Sequence, residues 1–92
     1  MKKLIIVGAG GFGREVYAWA KDHSDCGQAW DLAGFLDDDA SALDGYNYPV
    51  GVIGTVEDYQ PHTNDVFVCA IGAPAVKQKV CQLLLARSAE FI

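Results

Sequence analysis

Hydrophobic residues along this chain fall into short unbroken runs that alternate with longer, spaced stripes. Leu4 to Val7 is an apolar run with no polar alternation, the pattern of a strand buried on both faces of a parallel sheet. From Phe12 the period changes: Phe12, Val16, Trp19, Ala20 and His23 recur at helical spacing, and Ser24, Asp25 and Gly27 supply the stop. Trp30–Leu36 reads as a second strand closing at Asp37, Asp38 and Asp39. Residues 40–49 have no hydrophobic period and are rich in turn formers, which predicts a loop. Val50–Ile53, interrupted by Gly51, predicts a short strand, and Thr55 to Tyr59 has the form of an N-cap followed by one acidic turn. Val66–Ile71 is another apolar run, ending in Gly72. Pro74 then suits a first helical position, and Val76, Val80, Leu83, Leu84 and Arg87 keep helical spacing with Lys77 and Lys79 on the wet side. Glu90, Phe91 and Ile92 begin a further apolar segment.

Strands that precede helices, short connections and buried runs together predict a small Rossmann-like α/β domain. Its sheet is expected to be mostly parallel, of about four strands flanked by helices, with right-handed crossovers. One domain accounts for residues 1–92, because a chain of 92 residues supports a single hydrophobic core.

Composition narrows the function. Hydrophobic residues make up 51% of the chain and charged residues 21%, a balance that excludes disorder. The net charge of −5 speaks against a nucleic-acid binder or a protein of anionic membrane surfaces, so any bound anion must be held locally. The opening Met1-Lys2-Lys3 and its apolar run resemble the start of a signal peptide, but Gly8 to Gly11, then Arg14 and Glu15, break the run too early. No stretch approaches the roughly 18–20 apolar residues of a membrane span. Cys26, Cys69 and Cys81 are odd in number and form no CxxC pair, which suits free thiols and a cytoplasmic location; Cys69 and Cys81 are expected as buried filler.

Gly8-Ala9-Gly10-Gly11-Phe12-Gly13 satisfies G-x-G-x-x-G and stands where that pattern has mechanical meaning, directly after a buried strand and before an amphipathic helix. Free N–H groups and the helix dipole would hold phosphates there without a basic residue. Asp37, Asp38 and Asp39 close the second strand, where a nucleotide-binding unit places the acid for ribose hydroxyls. Three carboxylates there would repel a 2′-phosphate. Asp39 is assigned to a solvated turn, leaving Asp37 and Asp38 as contact residues. Ile71 and Gly72 form the other strand-to-helix junction on the same edge. Lys77 and Arg14 fit either an anion contact or a plain surface position. His23 sits on the expected inward stripe and reads as a core histidine. Neither it nor His62 has a partner at catalytic or metal spacing, so no catalytic residue and no metal ligand is assigned.

Several ordered segments resemble the N-terminal domain of sugar O- and N-acyltransferases, the family of sialic acid O-acetyltransferases (NeuD-like) and UDP-amino-sugar N-acetyltransferases (PglD-like). They are Lys3 to Val16, Gly34 to Asp39, Leu43 to Tyr46 with Pro49-Val50, Phe67 to Pro74, and Ala89 to Ile92. The resemblance implies a domain that binds a UDP-sugar or related acceptor for bacterial glycan synthesis (capsule, lipopolysaccharide or sialic acid). A following left-handed β-helix would bind acetyl-CoA, form the trimer and supply the catalytic histidine. It also implies that Gly8, Gly10, Gly11 and Gly13 face the acceptor's phosphates, Asp37 and Asp38 its uridine, and Ile71 and Gly72 the opposite wall. Phe12 stands where many relatives have histidine, and Lys77 where they commonly have arginine. The chain stops at Phe91-Ile92, ahead of any hexapeptide repeat, so the expectation is binding without turnover. Competing expectations are an NAD(H)-binding module of an oxidoreductase or redox sensor, resting on the same glycines and Asp37, and a non-binding assembly domain.

Overall fold

β1 (Lys2–Val7) lies at the centre of the molecule because both faces of its last four residues are apolar, and Leu4 to Val7 are at most 1% exposed. In the computed structural model, which describes Met1–Ile92, the other strands are β2 (Trp30–Leu36), β3 (Val52–Gly54), β4 (Asp65–Cys69) and β5 (Glu90–Phe91). They form one parallel sheet in the order β3-β2-β1-β4-β5. The sheet therefore has five strands where the hydrophobic runs predict about four. The extra one is β5, the apolar stub at the end of the chain, which pairs Val66 with Glu90 and Phe67 with Phe91.

Helices α1 (Gly11–Asp22) and α2 (Pro74–Ala86) cover opposite faces. Side chains alternate across a strand, so Ile5 and Val7 join Leu36, Phe67 and Leu84 of α2, while Ile6 joins Phe35, Val16 and Tyr17 of α1. Burying each of these large side chains stabilises the fold by about 1.5–3 kcal/mol relative to leaving it in water.

Helix α1 is rotated from the expected stripe. Gly13, Val16 and Tyr17 are its buried residues, whereas Trp19 is 64% and Phe12 43% exposed. The cause is Gly13: a Cβ there would stand 1.9 Å from the Gly8 carbonyl oxygen, so this side of the helix must lie on the strand. Tyr17 then stacks on Phe35 with ring centroids 5.7 Å apart and meets Tyr48 edge-on at 4.9 Å. His23 is not a core histidine. It is exposed at the C-cap, where its Nδ1 accepts a hydrogen bond from the Asp25 N–H at 3.0 Å. In α2 the expected stripe is closer, with Leu84 fully buried and Val80, Leu83 and Arg87 half-buried, but Val76 is 49% exposed. Cys69 and Cys81 are half-buried; burial and contact with Cys69 push the Cys81 thiol pKa up.

Three polar devices fix the connection between β3 and β4. Thr55 accepts the Asp58 N–H on its hydroxyl, closing a single capped turn as the sequence predicts. Arg87, at the C-cap of α2, then donates to the backbone carbonyls of Val56, Glu57 and Tyr59. At the start of β4, Asp65 is 3% exposed and accepts hydrogen bonds from the Tyr59 hydroxyl at 2.7 Å and the His62 N–H at 2.9 Å. Burial, with the bond to Asp65, raises the Tyr59 phenol well above its ordinary value of 10.0. No helix is long and apolar enough to cross a membrane.

Gly13→Ala should abolish cooperative folding, measured by circular dichroism melting, since the added carbon meets fixed backbone. Arg87→Met should lower stability by about 1–3 kcal/mol in urea titration, the range for losing charge-assisted bonds at a half-exposed site. The phenol of Tyr59 ionises in the unfolded chain before it does so in the folded one, so its contribution is complete below pH 10 and fades as pH rises further. Melting temperature should thus fall more steeply above pH 10 for the parent than for Tyr59→Phe.

Candidate functional site

The sheet order reverses direction at β1, with β2 and β3 on one side and β4 and β5 on the other. Open α/β sheets bind ligands in the crevice beyond the carboxyl ends of the strands at such a point. Two helix N-termini converge on this edge, and neither has a side-chain cap: α1 starts from Gly10 and α2 from Ala73 followed by Pro74. The first backbone bond into α1 is Arg14 N–H to the Gly10 carbonyl, leaving the N–H groups of Gly10, Gly11, Phe12 and Gly13 without a partner in the chain. Such groups carry the positive end of the helix dipole.

Glycines of the turn divide into two kinds. Gly8 (φ +105°) would bring a Cβ within 2.9 Å of the Ala70 carbonyl oxygen, and Gly13 packs on Gly8, so both are required by the fold itself. Gly10 and Gly72 have no such requirement, because a Cβ at either would meet nothing within 4 Å and neither has a positive φ. A Cβ at Gly11 would meet only the Arg14 guanidinium, at 3.8 Å.

Of the residues expected at the site, Gly8, Asp37, Asp38 and Ile71 come together around a pocket of about 180 Å³, with Leu36, Val56, Val76 and Val80 as apolar walls. It adjoins a wider cleft of about 530 Å³ between α2 and the turn at 56–58, where Asp38, Glu57 and Lys79 join the same valines. Gly10, Gly11 and Phe12 stand exposed at the start of α1, and Gly72 is exposed after β4. Lys77 is exposed and unpaired; it lines neither space, whereas Lys79, on the expected wet side of α2, lines the cleft. Lys79 follows Val76 by three residues and precedes Leu83 by four, so helical spacing already held that signal. Val56 had none, since only the fold brings its turn against α2.

Arg14 is committed within the chain. It donates to the Ala9 carbonyl at 3.2 Å and lies over the Tyr46 ring at 4.2 Å, tying the 40–49 loop to the glycine turn. Asp37 is also engaged, accepting from the N–H of Ala9 at 2.8 Å and of Asp39 at 2.9 Å. Asp39 closes its own turn on Ser41, and those bonds hold its carboxyl below the usual range. Asp38 makes no hydrogen bond within the chain and is exposed at the mouth of both spaces.

The largest concavity, about 640 Å³, lies elsewhere, between α1 and β5, and is lined by Trp19, Trp30, Val68 and Ile92 among others. It is a stretch of sheet face beside α1. The ends of three strands and two uncapped helices meet only at the other location.

A parallel sheet with a strand-order reversal, a glycine turn and unpartnered helix-start amides defines a Rossmann-like domain with a ligand-type crevice. The family model for the PglD N-terminal domain matches residues 3–84. The chain belongs to that family, an N-terminal domain of the sugar acetyltransferase type. No curated protein matches the chain.

Substituting alanine at Gly10 or Gly72 should leave the unfolding free energy from urea titration within about 1 kcal/mol of the parent, the range of a glycine change without a steric conflict. A large loss at either position would show an internal role for these glycines.

Proposed function

We propose that this domain binds the acceptor of an acetyl-transfer reaction, a UDP-sugar or related sugar nucleotide, at the C-terminal edge of its sheet. The observation that carries this reading is the pair of glycines, Gly10 and Gly72, that nothing inside the chain requires. A side chain at either would stand in open space at this edge of the sheet, and Gly10 lies among amides that have no other partner, which suits the approach of a ligand. Phosphates would rest on the N–H groups from Gly10 to Gly13, and the apolar slot of Val56, Val76 and Val80 would take a flat base. Asp38 would accept hydrogen bonds from the nucleoside. Lys79 is the cation among the residues that line the adjoining cleft with that acid.

The chemistry of acetyl transfer is not assigned to any residue of this chain. Acetyl-CoA would be the co-substrate of an accompanying β-helix domain, and a base there would take the proton from the attacking amine or hydroxyl. This domain would supply orientation, which converts an encounter into a positioned reaction. The setting that fits is bacterial glycan synthesis in the cytoplasm, by a trimer formed through the β-helix.

Isothermal titration should detect UDP, with affinity reduced about tenfold or more by Gly10→Val at unchanged fold, the scale of a lost set of phosphate hydrogen bonds. NADH binding with no heat from UDP or any sugar nucleotide would contradict the proposal and favour a redox module.

A further inference from the structure

We infer that Asp37 and Asp38, adjacent in sequence, divide two tasks: Asp37 positions the phosphate-holding turn from behind, and Asp38 alone meets the nucleoside. This inference rests on the binding site proposed above.

The argument begins at Ala9. Its residue is fully buried, so its N–H has no access to water and needs a partner inside the chain. The β1–β2 ladder carries on past Val7 and Leu36, with the Gly8 N–H donating to the Leu36 carbonyl at 2.7 Å. One residue further the backbone ladder has turned away, and the Asp37 side chain takes its place, Oδ2 accepting the Ala9 N–H at 2.8 Å. Its other oxygen accepts the Asp39 N–H at 2.9 Å, and its own N–H donates to the Gly54 carbonyl at 3.0 Å. Asp37 is thus held on three sides and bridges the ends of β1, β2 and β3.

That bridge sets the direction of the glycine turn. Fixing the Ala9 N–H fixes the peptide plane between Gly8 and Ala9, and Arg14 holds the Ala9 carbonyl on its other side. Both ends of this buried residue are therefore tied, so Gly10 and Gly11 leave it at one angle with their N–H groups outward. A carboxylate suits the task because it offers two acceptors to two donors. Asparagine would offer one, and its amide hydrogens would oppose the second N–H. Asp38 differs in three respects: it makes no hydrogen bond within the chain, its side chain is exposed, and beyond the pocket wall that it shares with Asp37 it also lines the adjoining cleft, which Asp37 does not reach.

The two roles separate when a nucleoside is compared with its diphosphate. A residue acting through the turn affects only the phosphate-bearing ligand, whereas a residue that holds the nucleoside affects both alike. The test is an NMR titration of the 92-residue domain with uridine and with UDP, beside hydrogen exchange of the Ala9 amide in the free protein. Asp37→Ala should speed Ala9 exchange and weaken UDP about tenfold or more while changing uridine less than about twofold, with Asp37→Asn between the parent and Asp37→Ala. Asp38→Ala should weaken uridine and UDP by the same factor and leave Ala9 exchange unchanged. Equal weakening of uridine and UDP by Asp37→Asn, or an Ala9 amide whose exchange ignores both substitutions at Asp37, would overturn the division. If the parent binds neither ligand, the functional reading falls, and with it the task of Asp38; the Ala9 exchange then still decides whether Asp37 clamps the turn.

Discussion

The structure turns on one backbone contact, Gly13 of α1 lying against the carbonyl of Gly8. A methyl group at Gly13 would stand 1.9 Å from that oxygen, so the helix can begin at once after β1 only if this position has no side chain. Several features follow from it. The helix is rotated so that Gly13, Val16 and Tyr17 face the sheet, and Tyr17 draws Tyr48 of the long loop into the core. The unpartnered amides from Gly10 to Gly13 are held at the sheet's edge instead of in the middle of a flexible connection. Asp37 after β2 and Ala70 after β4 then pack around the same turn.

A chain of net charge −5 can address an anion in this way because the attraction is local and comes from the backbone. Basic side chains near the turn serve the fold first. Arg14 bridges the glycine turn to Tyr46, and Arg87 ties three carbonyls of the turn that carries Val56. Carboxylates are likewise divided between structure and exposure, with Asp37, Asp39 and Asp65 engaged inside the chain and Asp38 free at the crevice.

How much of this was legible in the sequence depended on whether the information was local. Leu4–Val7 and Val66–Cys69 announce themselves as buried strands because each is apolar on both faces. The glycine turn is legible because its spacing encodes a junction. The inward side of α1 differs from the expected stripe for a physical reason: apolar residues lie on two adjoining faces of the helix, and only the contact of Gly13 with Gly8 decides between them. Phe12, Trp19 and His23 therefore end up exposed. β5 has two residues, too few for a pattern, and exists through pairing with β4. At the site, Asp37 and Asp38 look equivalent in sequence because their difference lies in long-range hydrogen bonds. Val56 enters through a turn that Arg87 holds in place from the far end of α2.

The central claim is that the crevice at the carboxyl edge of the sheet, and not the larger groove beside Trp19, receives a sugar nucleotide. A two-dimensional 15N–1H NMR titration with UDP tests it most directly, since it locates binding on the chain. The account predicts shifts concentrated at the amides of Gly10 to Gly13, Asp38, Val56 and Gly72. Shifts confined to Trp19, Trp30 and Ile92, or none at millimolar UDP, would contradict it.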